Sequence, residues 1–140
     1  MSQENVEIAR KSLEAFRRGE FDLATEPWDP AGEWIPAMAG AVEDKVYRGH
    51  ADLRRYFEEL FESFSEVRPD DMEFRDLGNR VLVLYTLSVR GRDSGVAINQ
   101  PGGIVYEMRG GKIVQGRSYL SPDEAFKAAG LSEQDAHAES

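Results

Sequence analysis

The chain has 140 residues, no cysteine, and 17 basic against 26 acidic side chains, a formal net charge of −9 with both histidines neutral. That length fits one domain, and 41% hydrophobic residues supply a single core without disulfide or thiolate-metal staples. The acidic balance excludes counterion-release binding to nucleic acid or to an anionic membrane, and no stretch approaches the roughly 18–20 apolar residues of a membrane span.

Residues 1–30 lack a basic region followed by an apolar run, so no export signal is read there. Together with the missing cysteines, this gives the expectation of a cytoplasmic protein. Val6, Ala9, Leu13 and Phe16 recur at helical spacing between charged residues, and Gly19 ends that first helix. A short second helix is predicted around Phe21, Leu23 and Ala24, followed by a turn at Pro27 and Pro30. Trp34 and Ile35 suit a brief strand over residues 33–36. The irregular stretch from Ala37 to Gly49 reads as a flap. From His50 onward, Leu53, Tyr56, Phe57, Leu60, Phe61 and Phe64 form the aromatic stripe of an amphipathic helix.

After Pro69 the period changes to two, and strands are predicted over 72–77, 80–89, 96–108 and 113–120. The strand from Arg80 to Val89 is apolar at both parities, so both of its faces should be covered. Pro101-Gly102-Gly103 predicts a bend or bulge. Ser121-Pro122-Asp123-Glu124 combines an N-cap serine, a proline at the first helical position and a glutamate at the third, which starts a last helix that Gly130 closes. The fold class is therefore α+β, helices on one face of a curved antiparallel sheet, with one domain over 1–130 and a flexible tail over 131–140.

Four segments taken together resemble the SnoaL-like polyketide cyclase family of the NTF2-like superfamily. They are Asn5 to Asp22, Asp29-Pro-Ala-Gly-Glu-Trp34, Tyr47-Arg-Gly-His50 and Gly111 to Leu120. The resemblance implies a cystatin-like cone of helices against a bent sheet, a pocket at the open end that takes a hydrophobic small molecule, and frequent homodimers. It also assigns inward parity to Val114, Gly116, Ser118 and Leu120, to Gln100, Gly102, Ile104 and Tyr106, and to Arg80, Leu82 and Leu84. Members of the limonene epoxide hydrolase type carry Arg-x-Asp in the central strand and a second aspartate in the last. Here Arg80 stands where that arginine would be, whereas Leu82 and Ser118 replace the aspartates.

Arg80, Gln100 and Ser118 are thus polar groups expected inside an apolar interior. They either satisfy one another as a structural network or meet a ligand. Trp34, Tyr47 and Tyr106 complete the candidate ligand-binding set. His50 is expected to serve the start of its helix, and Asp29 a turn. Glu33, Asp44 and Tyr47 remain acid or base candidates. No metal-ligand spacing, P-loop or dinucleotide fingerprint is present, so no cofactor is expected. Two functions stay open: a cofactor-independent cyclase, isomerase or hydrolase using general acid/base catalysis, and a non-catalytic ligand-binding or scaffold dimer. Val81, Val83, Tyr85 and Leu87 are expected on the outer face, where a partner copy would cover them.

Overall fold

The structure is a computed structural model that describes residues 2–37 and 45–131. Helix α1 (Ser2–Arg17) and the short α2 (Phe21–Thr25) lead into strand β1 (Trp28–Ile35), and a two-residue β2 (Tyr47–Arg48) precedes α3 (Gly49–Ser63). Four strands follow, β3 (Phe64–Asp76), β4 (Arg80–Gly91), β5 (Ala97–Arg109) and β6 (Lys112–Tyr119), before α4 (Pro122–Ala128). They form one six-stranded sheet in the order β2-β1-β6-β5-β4-β3, antiparallel except for the β1–β6 pair. The mixed α+β class and the curved sheet agree with the sequence. Among the described residues no helix is long and apolar enough to cross a membrane.

Three boundaries differ from expectation for physical reasons. β1 begins at Trp28, because a register shift between Trp28 and Glu33 lets the strand absorb Pro30, while Asp29 Oδ1 accepts the Ala31 N–H at 2.8 Å. β3 begins at Phe64, directly after α3, so Phe64 closes the helical stripe and opens the strand. Pro101-Gly102-Gly103 makes no bulge against β4, whose register with β5 is continuous from Arg80↔Glu107 to Arg90↔Ala97. The proline is tolerated because β6 pairs with β5 only as far as Gly103↔Tyr119, leaving Pro101 with a neighbour on one side. Of the flap expected over 37–49, Tyr47–Arg48 form β2 and Gly49 opens α3, while residues 38–44 lie outside the described residues; so do residues 132–140 of the expected tail.

The largest correction concerns β4. Directly opposed residues of an antiparallel pair share a face, and β4 pairs Val81 with Tyr106, Val83 with Ile104 and Tyr85 with Gly102. Once Tyr106 and Ile104 face the helices, Val81, Val83 and Tyr85 must do so as well. They are packed in the main core with Val6, Ala9, Leu13 and Phe57 from the helices. The apolar row expected to need a partner copy is therefore covered within one chain. Leu82 takes the other face, where it packs with Val105, Ala125, Phe126 and Ala129 beneath α4, with Leu84 and Leu131 at the margin. Ser121 caps α4 as predicted, its Oγ accepting the Glu124 N–H at 3.2 Å.

Candidate functional site

Between the helices and the concave sheet lies a cavity of about 360 Å³. Its closed end is aromatic. Trp28 and Trp34 meet edge to face at 6.2 Å, and Trp28 and Tyr106 at 5.9 Å. All three converge over Gly116, where an added Cβ would come within 2.8 Å of Trp28 Cη2 and within 3.1 Å of Trp34 and Tyr106. Glycine here is a packing requirement: the missing side chain is the space the rings occupy. Trp28 is fixed further by its indole N–H, which donates to Ser12 Oγ at 3.2 Å, while that hydroxyl donates to the Ala24 carbonyl at 2.7 Å.

The side walls come from the aromatic stripe of α3, through Tyr56, Phe57 and Leu60, and from Tyr85, Leu87 and Val89 of β4. Ile98, Gln100, Ser118, Leu120 and Ala37 also contribute to the lining. Ile98 and Leu120 are more than two-fifths exposed, the mark of a rim. No charged side chain lines the cavity among the described residues.

Of the six ligand-binding candidates, Trp34, Gln100, Tyr106 and Ser118 line the cavity. The two polar ones already hold backbone: Ser118 Oγ accepts the Ala37 N–H at 2.8 Å, and the Gln100 amide donates to the Leu120 carbonyl at 2.9 Å and to that of Pro101 at 3.1 Å. Tyr47 is not on the wall. It is buried behind Tyr56, ring centroids 4.8 Å apart. Arg80 is a correction: the parity of β4 turns it away, and its guanidinium donates to the Ala129 carbonyl at 2.9 Å, capping α4. Val114 is likewise off the wall, because a register shift between Glu107 and Met108 brings Ile113 inward instead.

The other acid and base candidates are occupied elsewhere. Glu33 pairs with Arg48, which together with Gln115 holds its carboxyl below the usual range. His50 Nε2 lies 2.7 Å from the Trp28 carbonyl, tying the start of α3 to β1. Asp44 lies outside the described residues.

The phenols on the wall include Tyr56 of the aromatic stripe, the candidate Tyr106, and Tyr85, which the sequence reading placed on the outer face. Burial pushes the Tyr56 hydroxyl up to about 12 and raises those of Tyr85 and Tyr106 further still. All three are neutral at physiological pH and can donate hydrogen bonds. Tyr85 was hidden by the wrong parity of β4. Requiring β4 and β5 to pair face for face would have found it. It lies opposite Gly102, where a Cβ would sit 3.3 Å from its ring and 2.9 Å from the Tyr119 carbonyl.

A profile of the SnoaL-like domain matches residues 9–116, well over half of the chain. The protein belongs to the SnoaL-like domain family. Solved structures similar to this SnoaL-like domain include a candidate polyketide cyclase from Xanthomonas campestris pv. campestris, at 18% identity and TM-score 0.76, covering 91% of this chain and 98% of the other. An NTF2-like protein from Burkholderia xenovorans LB400 shares 25% identity at TM-score 0.75, with coverage of 92% and 97%. TerC, co-crystallised with polyporic acid, shares 19% at TM-score 0.74, with coverage of 91% and 98%. No curated protein matches the sequence significantly. The TM-scores establish that the SnoaL-like domain has the NTF2-like fold; at such low identities they assign no reaction to it.

Proposed function

We propose that this SnoaL-like domain takes a largely apolar, uncharged small molecule into the cone cavity. The observation that supports this most directly is the lining itself: aromatic and aliphatic side chains with a few neutral polar groups and no charge among the described residues. At about 360 Å³ the cavity falls at the small end of the range for ligand sites, roughly 300–1,000 Å³. A flat hydrophobic molecule that leaves water for such a wall gains roughly 25 cal/mol per Å² of apolar surface buried. The co-crystal of TerC with polyporic acid supports the small-molecule part of this reading alone, since a related cone has been prepared with a small organic molecule.

Catalysis is the second reading, favoured by the candidate polyketide cyclase among the structural neighbours. The described wall offers phenolic proton donors for it but no carboxylate base.

The test is titration with the uncharged fluorescent probe N-phenyl-1-naphthylamine. Saturable binding at one probe per chain is expected, with loss in Leu87→Trp, which fills the side wall while the fold, followed by circular dichroism, is kept. Absence of saturable binding to the wild-type chain would refute the proposal.

A further inference from the structure

A ligand in this cavity finds its polar contacts among neutral donors, and some of those are already committed. The Ser12 hydroxyl donates to Ala24 and the Gln100 amide to two carbonyls, whereas Ser118 Oγ accepts from the Ala37 N–H and keeps its own hydrogen. Two buried side-chain donors lack a partner among the described residues, Trp34 Nε1 and Arg75 Nη1. Arg75 belongs to the other side of the sheet, its guanidinium 5.5 Å from the Phe126 ring under α4. Trp34 is in the cavity wall. Its indole lies beside Tyr56, with ring centroids 6.1 Å apart, and its N–H is close enough to favour the ionised form of the Tyr56 hydroxyl.

An unmet buried donor is costly, and wherever one recurs in a pocket wall the group that completes it is worth seeking. We propose that Tyr56 donates the hydrogen bond that receives the oxygen end of the ligand, an uncharged carbonyl or quinone oxygen, and that Trp34 is the positioning residue behind it. When a ligand oxygen accepts from the Tyr56 hydroxyl, a phenolic lone pair is left on the indole side, and a small shift of either ring brings the Trp34 N–H into bonding geometry with it. One acceptor then completes two donors in series, and each bond polarises the next.

Tyr56 is well placed to do this. Its ring is held between Tyr47 and Trp34, so little side-chain freedom is lost on binding. Burial keeps the hydroxyl protonated at neutral pH. The absence of a cation from the described lining gives a carboxylate or phenolate no charge partner, so the contact suits a neutral oxygen.

This inference rests on the cavity reading above, and the experiment separates the two. Naphthalene and 1,4-naphthoquinone, nearly equal in shape, are titrated by calorimetry at neutral pH; the chain has no cysteine for the quinone to alkylate. The wild-type protein should bind the quinone about tenfold tighter than naphthalene. Tyr56→Phe should lower that ratio by about tenfold or more, because the carbonyl is then desolvated without a partner, while leaving naphthalene affinity in place. Trp34→Phe, which keeps an aromatic ring but deletes the N–H, should lower the ratio without abolishing it; if that variant does not fold, Tyr56→Phe decides alone. Naphthalene binding with a ratio near one in the wild type, or a ratio that survives Tyr56→Phe, overturns the inference and leaves the cavity reading standing. Binding of neither probe overturns both.

Discussion

Gly116→Ala adds one methyl group at the point where three rings meet, and the structure allows its cost to be worked out. The new Cβ would stand 2.8 Å from Trp28 Cη2, closer than carbon atoms approach without displacement, and 3.1 Å from both Trp34 Cε3 and Tyr106 Cδ1. Trp28 cannot swing aside cheaply, because its indole N–H is engaged by Ser12. Tyr106 is 2% exposed and packs edge to face against Trp28. Overpacking of this kind costs about 1–3 kcal/mol, offset by about 0.5–1 kcal/mol because alanine loses less backbone entropy than glycine on folding. The net loss is about 1–2 kcal/mol. With an unfolding entropy near 2.1 cal/mol/K per residue, the Tm of this 140-residue chain should fall by roughly 3–7 °C in a calorimetric or circular dichroism melt. Trp28→Phe removes Cη2, so the same alanine should cost less in that background, and the pair should be non-additive. A Gly116→Ala protein that melts at or above wild type, or an alanine cost unchanged beside Trp28→Phe, would refute the packing argument.

Two further expectations follow from the outer side of the sheet. Asp70 is held below the usual aspartate range by Arg68, Ser88 and Arg17, so the stability it contributes is full above its unfolded pKa, about 3.9, and is lost as pH falls through the lowered value. Asp70→Asn should therefore lower Tm at neutral pH but flatten the decline of Tm between about pH 5 and pH 3; an unchanged acid limb would dismiss this. Arg80→Met should cost about 0.5–1.5 kcal/mol in a denaturant melt through its bond to Ala129 and leave probe binding unaltered. A change in affinity would place Arg80 at the cavity after all.

The elements easiest to read in the sequence were those in which one signal decides. The stripes of α1 and α3 sit at helical spacing, and Ser121-Pro122 marks a helix start without competition. The parities of β5 and β6 also came out as observed at Gln100, Gly102, Ile104, Tyr106 and Ser118. β4 did not, because Val81, Leu82, Val83 and Leu84 are all apolar, and composition cannot choose a face where both faces are buried. Only pairing with β5 chooses. The same ambiguity hid Tyr85 and misplaced Arg80. β1 was shortened because Pro27 and Pro30 are turn residues by local chemistry, whereas the strand passes through Pro30 at a register shift that only the neighbouring β6 reveals. The N–H of Trp34, unmet among the described residues, has no signature in sequence at all, since it depends on what surrounds one nitrogen atom.

The two ends of the sheet are not held equally. Around Leu82 and Val105 the strands are gripped from both faces, by the helices on one side and α4 on the other. Toward the rim, Thr86 and Ser88 are half-exposed, Ala97 and Asn99 are exposed, and β5 has outrun its pairing with β6. Amide protons should therefore exchange with solvent along a gradient, slowly near Leu82 and quickly over residues 97–100, with excursions that peel the rim and spare the closed end. Such partial opening gives a molecule a way into the aromatic end of the cone without global unfolding. The exposed rim at Ile98 and Leu120 is then the part of the wall that yields first to an entering molecule.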